Sequence, residues 1–163
     1  MPNTYTQIHI QFVFAVKFRK ALIDHSWKDR LHQYITGMIQ NKTHKMLQVN
    51  TMPDHLHMLI GFRPDENMSQ LIQVVKSESS KWINDSQLTA KKFEWQDGFG
   101  AFSYSKSHVY NVIRYIQNQE KHHLKQTFLE EYIAFLKAFE IQFDEQYIFK
   151  ELKIGRASCR ERV

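Results

Sequence analysis

Residues 46–62, MLQVNTM-PD-HLHMLIGF, constrain this chain more than any other segment. Two runs of strand length, rich in apolar and β-branched residues, flank Pro53-Asp54, and the economical reading is an antiparallel hairpin. Side chains alternate along a strand, so His55 and His57 share one face while Leu56, Met58 and Ile60 take the other. A sheet built on this hairpin buries an apolar row on one side and carries two imidazoles on the other.

The remaining periodicities supply partners for that sheet. Residues 5–16 (YTQIHIQFVFAV) read as a strand. From Asp24 the period changes: Trp27, Leu31, Tyr34, Ile35, Met38 and Ile39 recur at spacings of three and four behind a cap at Asp24 or Ser26. A second helix is expected over 67–84, burying Met68, Leu71, Ile72, Val75, Ser79, Trp82 and Ile83. Residues 93–104 carry strand-type residues around an Asp97-Gly98 turn, and a third helix from Ser107 past Gln119 presents Val109, Val112, Ile113 and Ile116. Thr127-Phe128-Leu129-Glu130 forms a capping box that opens a final helix with Phe128, Tyr132, Phe135, Leu136 and Phe139. The order β-α-β-β-α-β-α-α predicts an α+β fold of the ferredoxin-like type, an antiparallel sheet with helices packed on it.

Composition narrows the class. The chain has 163 residues, 42% of them hydrophobic, and no linker or repeat divides it. Mean hydropathy is -0.52 and no apolar run approaches the roughly 18 residues of a membrane span, so no membrane partner is expected. The last ten residues, IGRASCRERV, resemble the translation of a synthetic sequencing adapter, which divides the chain into a domain over 1–153 and a non-native tail over 154–163. Three Arg and one Glu in that tail account for +2 of the formal +5. The remaining +3 is a mild excess that suits a polyanion without demanding one. Cys159, the one cysteine, also lies in the tail, so 1–153 has no thiol or disulfide chemistry. Asn3, Thr4, Thr6 and Gln7 stand where the apolar core of a leader would be, and a cytoplasmic protein is expected.

The candidates for chemistry are few. With nine His in the chain, about half a His-x-His pair is expected by chance, so a solvated pair at a strand end competes with a metal-binding one. Tyr115 and Gln119 are four apart, one helical turn, and Tyr-x-x-x-Gln is equally common by chance. Together the four residues acquire a use. Two imidazoles and an amide oxygen are neutral ligands, so a divalent ion bound by them keeps its charge for a substrate phosphate. A phenol beside it is a competent nucleophile once its proton is lost or shared.

In the contexts MPDHLHMLIGF (52–62) and VIRYIQNQEKHH (112–123), these residues resemble the single-tyrosine HUH transposases of small bacterial insertion sequences and the related REP-associated tyrosine transposases. WQDGFGAFSYSKS (95–107) and the opening strand leading to Lys17-Phe18-Arg19 extend the resemblance over about residues 5–150. It implies a DNA transposase that nicks and rejoins single-stranded DNA at hairpin-marked element ends. Tyr115 would be the nucleophile, finishing bound to a 5′ phosphate, and His55, His57 and Gln119 would hold Mg²⁺ or Mn²⁺. It also implies a homodimer in which the tyrosine helix can complete the partner's site, so Tyr115 and His55 need not meet within one chain.

Lys17, Arg19 and Lys20 are candidate DNA contacts, competing with an ordinary solvated turn, and Asn111 and His122 can line the groove beside Tyr115. The His122-His123 pair could steady DNA or the outer shell of a metal, but reads more readily as a solvated helix end interacting with the dipole. Trp82 and Trp95 read as core, and His9 as a structural histidine. Two alternatives stand beside the transposase: a replication or conjugation initiator sharing the two-histidine strand, and a catalytically idle DNA-hairpin-binding module.

Overall fold

The computed structural model describes residues 3–144. Strand β1 (His9–Ala15), helix α1 (Lys28–Asn41), strands β2 (Lys45–Met52) and β3 (His55–Gly61), helix α2 (Met68–Asp85) and strand β4 (Gly100–Tyr104) follow in that order. Helix α3 (Val109–Gln117), the single turn α4 (Gln119–His122) and helix α5 (Phe128–Ala138) come last, and short 3-10 turns occupy Lys17–Arg19 and Lys106–His108. The sheet order is β2-β3-β1-β4 with every neighbouring pair antiparallel. Two β-α-β units thus interleave, giving the α+β, ferredoxin-like arrangement. Residues 154–163, expected to be a non-native tail, lie outside the described residues.

Strand parity divides the sheet's labour. Ile10, Phe12 and Phe14 of β1 and Leu56, Met58 and Ile60 of β3 face α1 and α2, where Leu31, Ile35, Ile39, Leu71, Ile72, Val75 and Ile83 complete the large core. Trp95 belongs to this core and Trp82 packs at its margin. The other face holds two smaller clusters. Val13, Ala15 and Phe102 meet Phe128, Tyr132 and Leu136 of α5. Leu59 meets Val112 and Ile116 of α3. Gln11, His55 and His57 are fully buried on this same face, among the two helices rather than in either apolar cluster.

Element boundaries differ from expectation in four places, each for a local reason. β1 begins at His9 rather than Tyr5, because β3 and β4 pair with it only from His9 onward. The Asp97-Gly98 region forms no hairpin. Trp95 makes an isolated bridge to Val16, while the Lys76 ammonium takes the carbonyls of Gln96 (2.7 Å) and Gly98, groups a ladder would otherwise use. Helix α1 starts at Lys28 without a side-chain cap, since the Asp24 carboxylate closes a turn onto Ser26 instead. The third helix stops at Gln117: Asn118, a weak helix former, leaves helical geometry (ψ 23°), and the chain restarts as α4. The Thr127–Glu130 capping box is present as read.

No described helix is long and apolar enough to cross a membrane. Gly100 controls how closely α5 approaches the sheet. A Cβ there would stand 2.7 Å from the Tyr132 hydroxyl and 2.8 Å from a carbon of its ring. Gly100→Ala is expected to lower unfolding stability by about 1–3 kcal/mol, read from urea denaturation. An unchanged midpoint would show that α5 is not seated against β4 in this way.

Candidate active site

Three elements deliver side chains to one buried point. His55 and His57 project from β3, their rings 5.2 Å apart, and both are essentially inaccessible to solvent. Gln119 enters from α4. Because the helix breaks at Asn118, its side chain is fully buried, whereas Tyr115 stays half-buried. Its amide oxygen lies 3.3 Å from His55 Nε2. From α3, the Tyr115 ring stands edge-on to His57 at 6.0 Å and stacks on His122 at 4.4 Å. The four residues read as a set therefore converge, and they do so within a single chain.

At their centre is a residue the sequence reading did not select. Glu131 of α5 is 2% exposed and touches every member of the cluster. Its Oε1 lies 3.1 Å from His57 Nε2, 3.2 Å from His123 Nε2 and 3.6 Å from His55 Nε2. Its Oε2 accepts from the Tyr115 hydroxyl and, at 3.2 Å, from the Gln119 amide. A signal existed. Glu131 lies three residues after Phe128 and four before Phe135, so a carboxylate stands on the apolar stripe of α5, where charge is unexpected unless it has partners. His123 is likewise no solvated helix end: its Nε2 also lies 3.1 Å from the Gln119 oxygen.

The electrostatics follow from burial around one carboxylate. Burial opposes charge on Glu131, but the hydrogen bonds from His123, His57 and Tyr115 outweigh it and hold the carboxyl well below its usual range. Burial also opposes charge on His123, yet its bond to Glu131 and that negative charge raise its pKa. The Glu131 carboxylate thus favours the protonated form of His123. Tyr115 is pushed up, first by burial and then by the Glu131 charge, so its phenol keeps its proton in this arrangement.

His55 carries the clearest sign of a cation site. Burial depresses its pKa despite the neighbouring Asp54 and Glu131, so the ring is neutral. Its one proton goes to Asp54, whose carboxylate lies 2.7 Å from Nδ1. The Nε2 lone pair then faces the Gln119 oxygen and the Glu131 carboxylate with no proton to share between them. Acceptors turned on one another in this way fit a positive ion among them. One ligand atom from each of His55, His57 and Glu131 lies within 4.8 Å of the others. His57 has an outer support too. Gln11 Nε2 contacts its Nδ1 at 2.8 Å, while Gln11 Oε1 accepts from the Tyr104 hydroxyl. A half-turn of that amide would let Nδ1 donate and free Nε2 for a ligand role.

The model of the family described as transposase IS200 like matches residues 4–119. The chain belongs to the IS200-like transposase family. Among curated proteins it is similar to the ISDra2 transposase TnpA of Deinococcus radiodurans, 20% identical over 118 residues that span 69% of this chain and 84% of that one. Two solved structures share the fold. One is a Deinococcus radiodurans protein assigned as a transposase, with a TM-score of 0.58, 16% identity, and coverage of 73% of this chain and 95% of that one. The other is a REP-associated tyrosine transposase bound to a REP hairpin, with a TM-score of 0.57, 14% identity, and coverage of 76% and 73%.

The DNA-contact candidates of this IS200-like transposase separate. His122 stacks on Tyr115 and Asn111 lines the cavity beside it. Lys17, Arg19 and Lys20 follow Ala15, the residue paired with His55, and Lys17 is 3.7 Å from Glu94. Asp54 orients His55, is 28% exposed at its side chain and supports no core. Asp54→Ala is therefore expected to weaken Mn²⁺ binding about 10- to 100-fold by calorimetry while barely moving thermal unfolding. Undiminished Mn²⁺ affinity would contradict the role given to Asp54.

Proposed function

We propose that this IS200-like transposase nicks and rejoins single-stranded DNA at hairpin-marked element ends, with Tyr115 as nucleophile, a 5′-phosphotyrosine intermediate and a requirement for Mg²⁺ or Mn²⁺. The catalytic unit is one domain over 1–153, acting as a homodimer. The observation that carries this reading is the shared carboxylate: the Tyr115 hydroxyl and His57 Nε2 meet on the two oxygens of Glu131. Phenol and imidazoles are thereby held in one pocket. The structural likeness to a hairpin-bound REP-associated transposase supports hairpin DNA as substrate, and the family favours transposition over replication initiation.

The chemistry balances with the groups present. Tyr115 Oη attacks phosphorus, the P–Oη bond forms and the P–O3′ bond breaks, while the phenolic proton is relayed through its hydrogen-bond partner Glu131 Oε2 to the departing 3′ oxygen, so that no proton is gained or lost and the carboxylate ends ionised as it began. The ester bond is conserved, so a 3′ hydroxyl can attack the phosphotyrosine in reverse and rejoin strands without ATP. A divalent ion, held by His55 and His57 with Gln119 or Glu131, would supply positive charge against a non-bridging phosphate oxygen. Gln119 and His123 keep Glu131 aimed at the phenol, and His122 fixes the plane of the Tyr115 ring.

Tyr115→Phe is expected to bind hairpin DNA with unchanged affinity but to lose the covalent adduct on denaturing gels by at least about a thousand-fold. EDTA should abolish the wild-type adduct. An adduct that survives in Tyr115→Phe would rule out this nucleophile, and cleavage indifferent to EDTA would rule out the ion.

A further inference from the structure

Next to Tyr115 the surface opens into a cavity of about 480 Å³. Its size falls within the range of about 300–1,000 Å³ typical of small-molecule sites. α3 seats on Leu59 and α5 on Val13, Ala15 and Phe102, so the two helices rest on different parts of the sheet. The slot lies between them, with Tyr104 of β4 also contributing to its lining.

The lining specifies an occupant. Tyr104, Phe135 and Phe139 offer aromatic rings, and the Tyr104 and Phe139 rings meet edge-to-face at 5.6 Å. Ala134 and Ala138, one helical turn apart and both exposed, leave the α5 side open. Among the described residues no Lys or Arg lines the slot, His108 is its one imidazole outside the cluster, and the Glu131 carboxylate borders it together with Tyr115. A phosphate is therefore disfavoured there, and a neutral planar group is favoured. Asn111 and Gln126 present primary amides, each both donor and acceptor, which suit a ligand with a hydrogen-bonding edge. Single-stranded DNA carries such groups: unstacked bases with free π faces next to each phosphate.

We propose that the slot between α3 and α5 receives one unstacked nucleobase flanking the scissile phosphate, stacked against its aromatic wall, and that Asn111 and Gln126 select which base it is. The inference rests on the strand-nicking reading and adds to it a determinant of cleavage-site sequence. Tyr115 belongs to both sites, so a base seated in the slot would hold its own phosphate beside the nucleophile.

Two measurements on the full chain test this separately from nicking. In EDTA, the probe is an oligothymidylate carrying one 2-aminopurine, whose fluorescence is quenched when it stacks on an aromatic ring. Wild-type protein should quench it, and Ala138→Leu, which fills the slot from an exposed position without adding an aromatic ring, should reduce quenching at least about threefold with Phe135→Leu as the second variant. In Mn²⁺, a random single-stranded pool is cleaved and the DNA attached to Tyr115 sequenced. One position flanking the nick should favour one base by about tenfold, falling below about twofold in Asn111→Ala and Ala138→Leu. Absence of quenching overturns the slot as a base site whether or not adducts form. Adducts with no flanking preference, or with one unchanged in both variants, overturn the assignment while leaving strand nicking intact. Quenching that falls in Ala138→Leu without any adduct supports the base site and removes the nicking reading instead.

Discussion

A carboxylate buried beneath α5 holds the functional half of this molecule together. Glu131 cannot lie at 2% exposure without compensation, because stripping a carboxylate of water costs several kcal/mol in a real protein interior even after relaxation. Here the compensation comes from β3 through His57, from α3 through Tyr115, from α4 through Gln119 and from the following turn through His123. Each of those groups is in turn fixed by the carboxylate. The helices on this side of the sheet share little apolar surface, so the polar contacts do what side-chain packing does on the other face.

That asymmetry between faces explains how the domain carries such a cluster. The face under α1 and α2 buries a continuous apolar layer from Ile10 to Trp95 and supplies the bulk of the hydrophobic stabilisation. With stability secured there, the opposite face can give positions such as Gln11, His55 and His57 to polar side chains, where Val or Leu would pack better. A site of this kind is expected to cost stability locally and to be rigid because of its hydrogen bonds. Rigidity is what the proposed tyrosine nucleophile needs, since phenol, phosphate and imidazoles must be aligned at once.

Much of this was legible in the chain because it depended on local rules. The Pro53-Asp54 turn and the alternation of 55–60 placed both imidazoles on one face, the spacing of Leu71, Val75 and Ile83 marked α2, and Thr127 with Glu130 announced α5. Legibility failed where tertiary contacts decided. Lys76 captures carbonyls 20 residues away and suppresses the strand around Asp97-Gly98. Asn118 interrupts a helix whose apolar stripe ends at Ile116, and that interruption turns Gln119 inward. Glu131 escaped, and His123 reads as a solvated helix end rather than an outer-shell group, because each looks ordinary beside its neighbours: an acidic residue next to a capping Glu130, and a histidine at a helix end. Only the meeting of α4, α5 and β3 makes them partners.

The central claim is that the polar face of the sheet is one cluster arranged around a cation. Diffraction from crystals soaked in Mn²⁺, recorded at a wavelength where manganese scatters anomalously, tests it most directly. A peak bonded to Nε2 of both His55 and His57, with Asp54 still accepting from His55 Nδ1, is the predicted result. Manganese bound only elsewhere, with both imidazoles still turned to Glu131 and Gln119 as they are now, would contradict it.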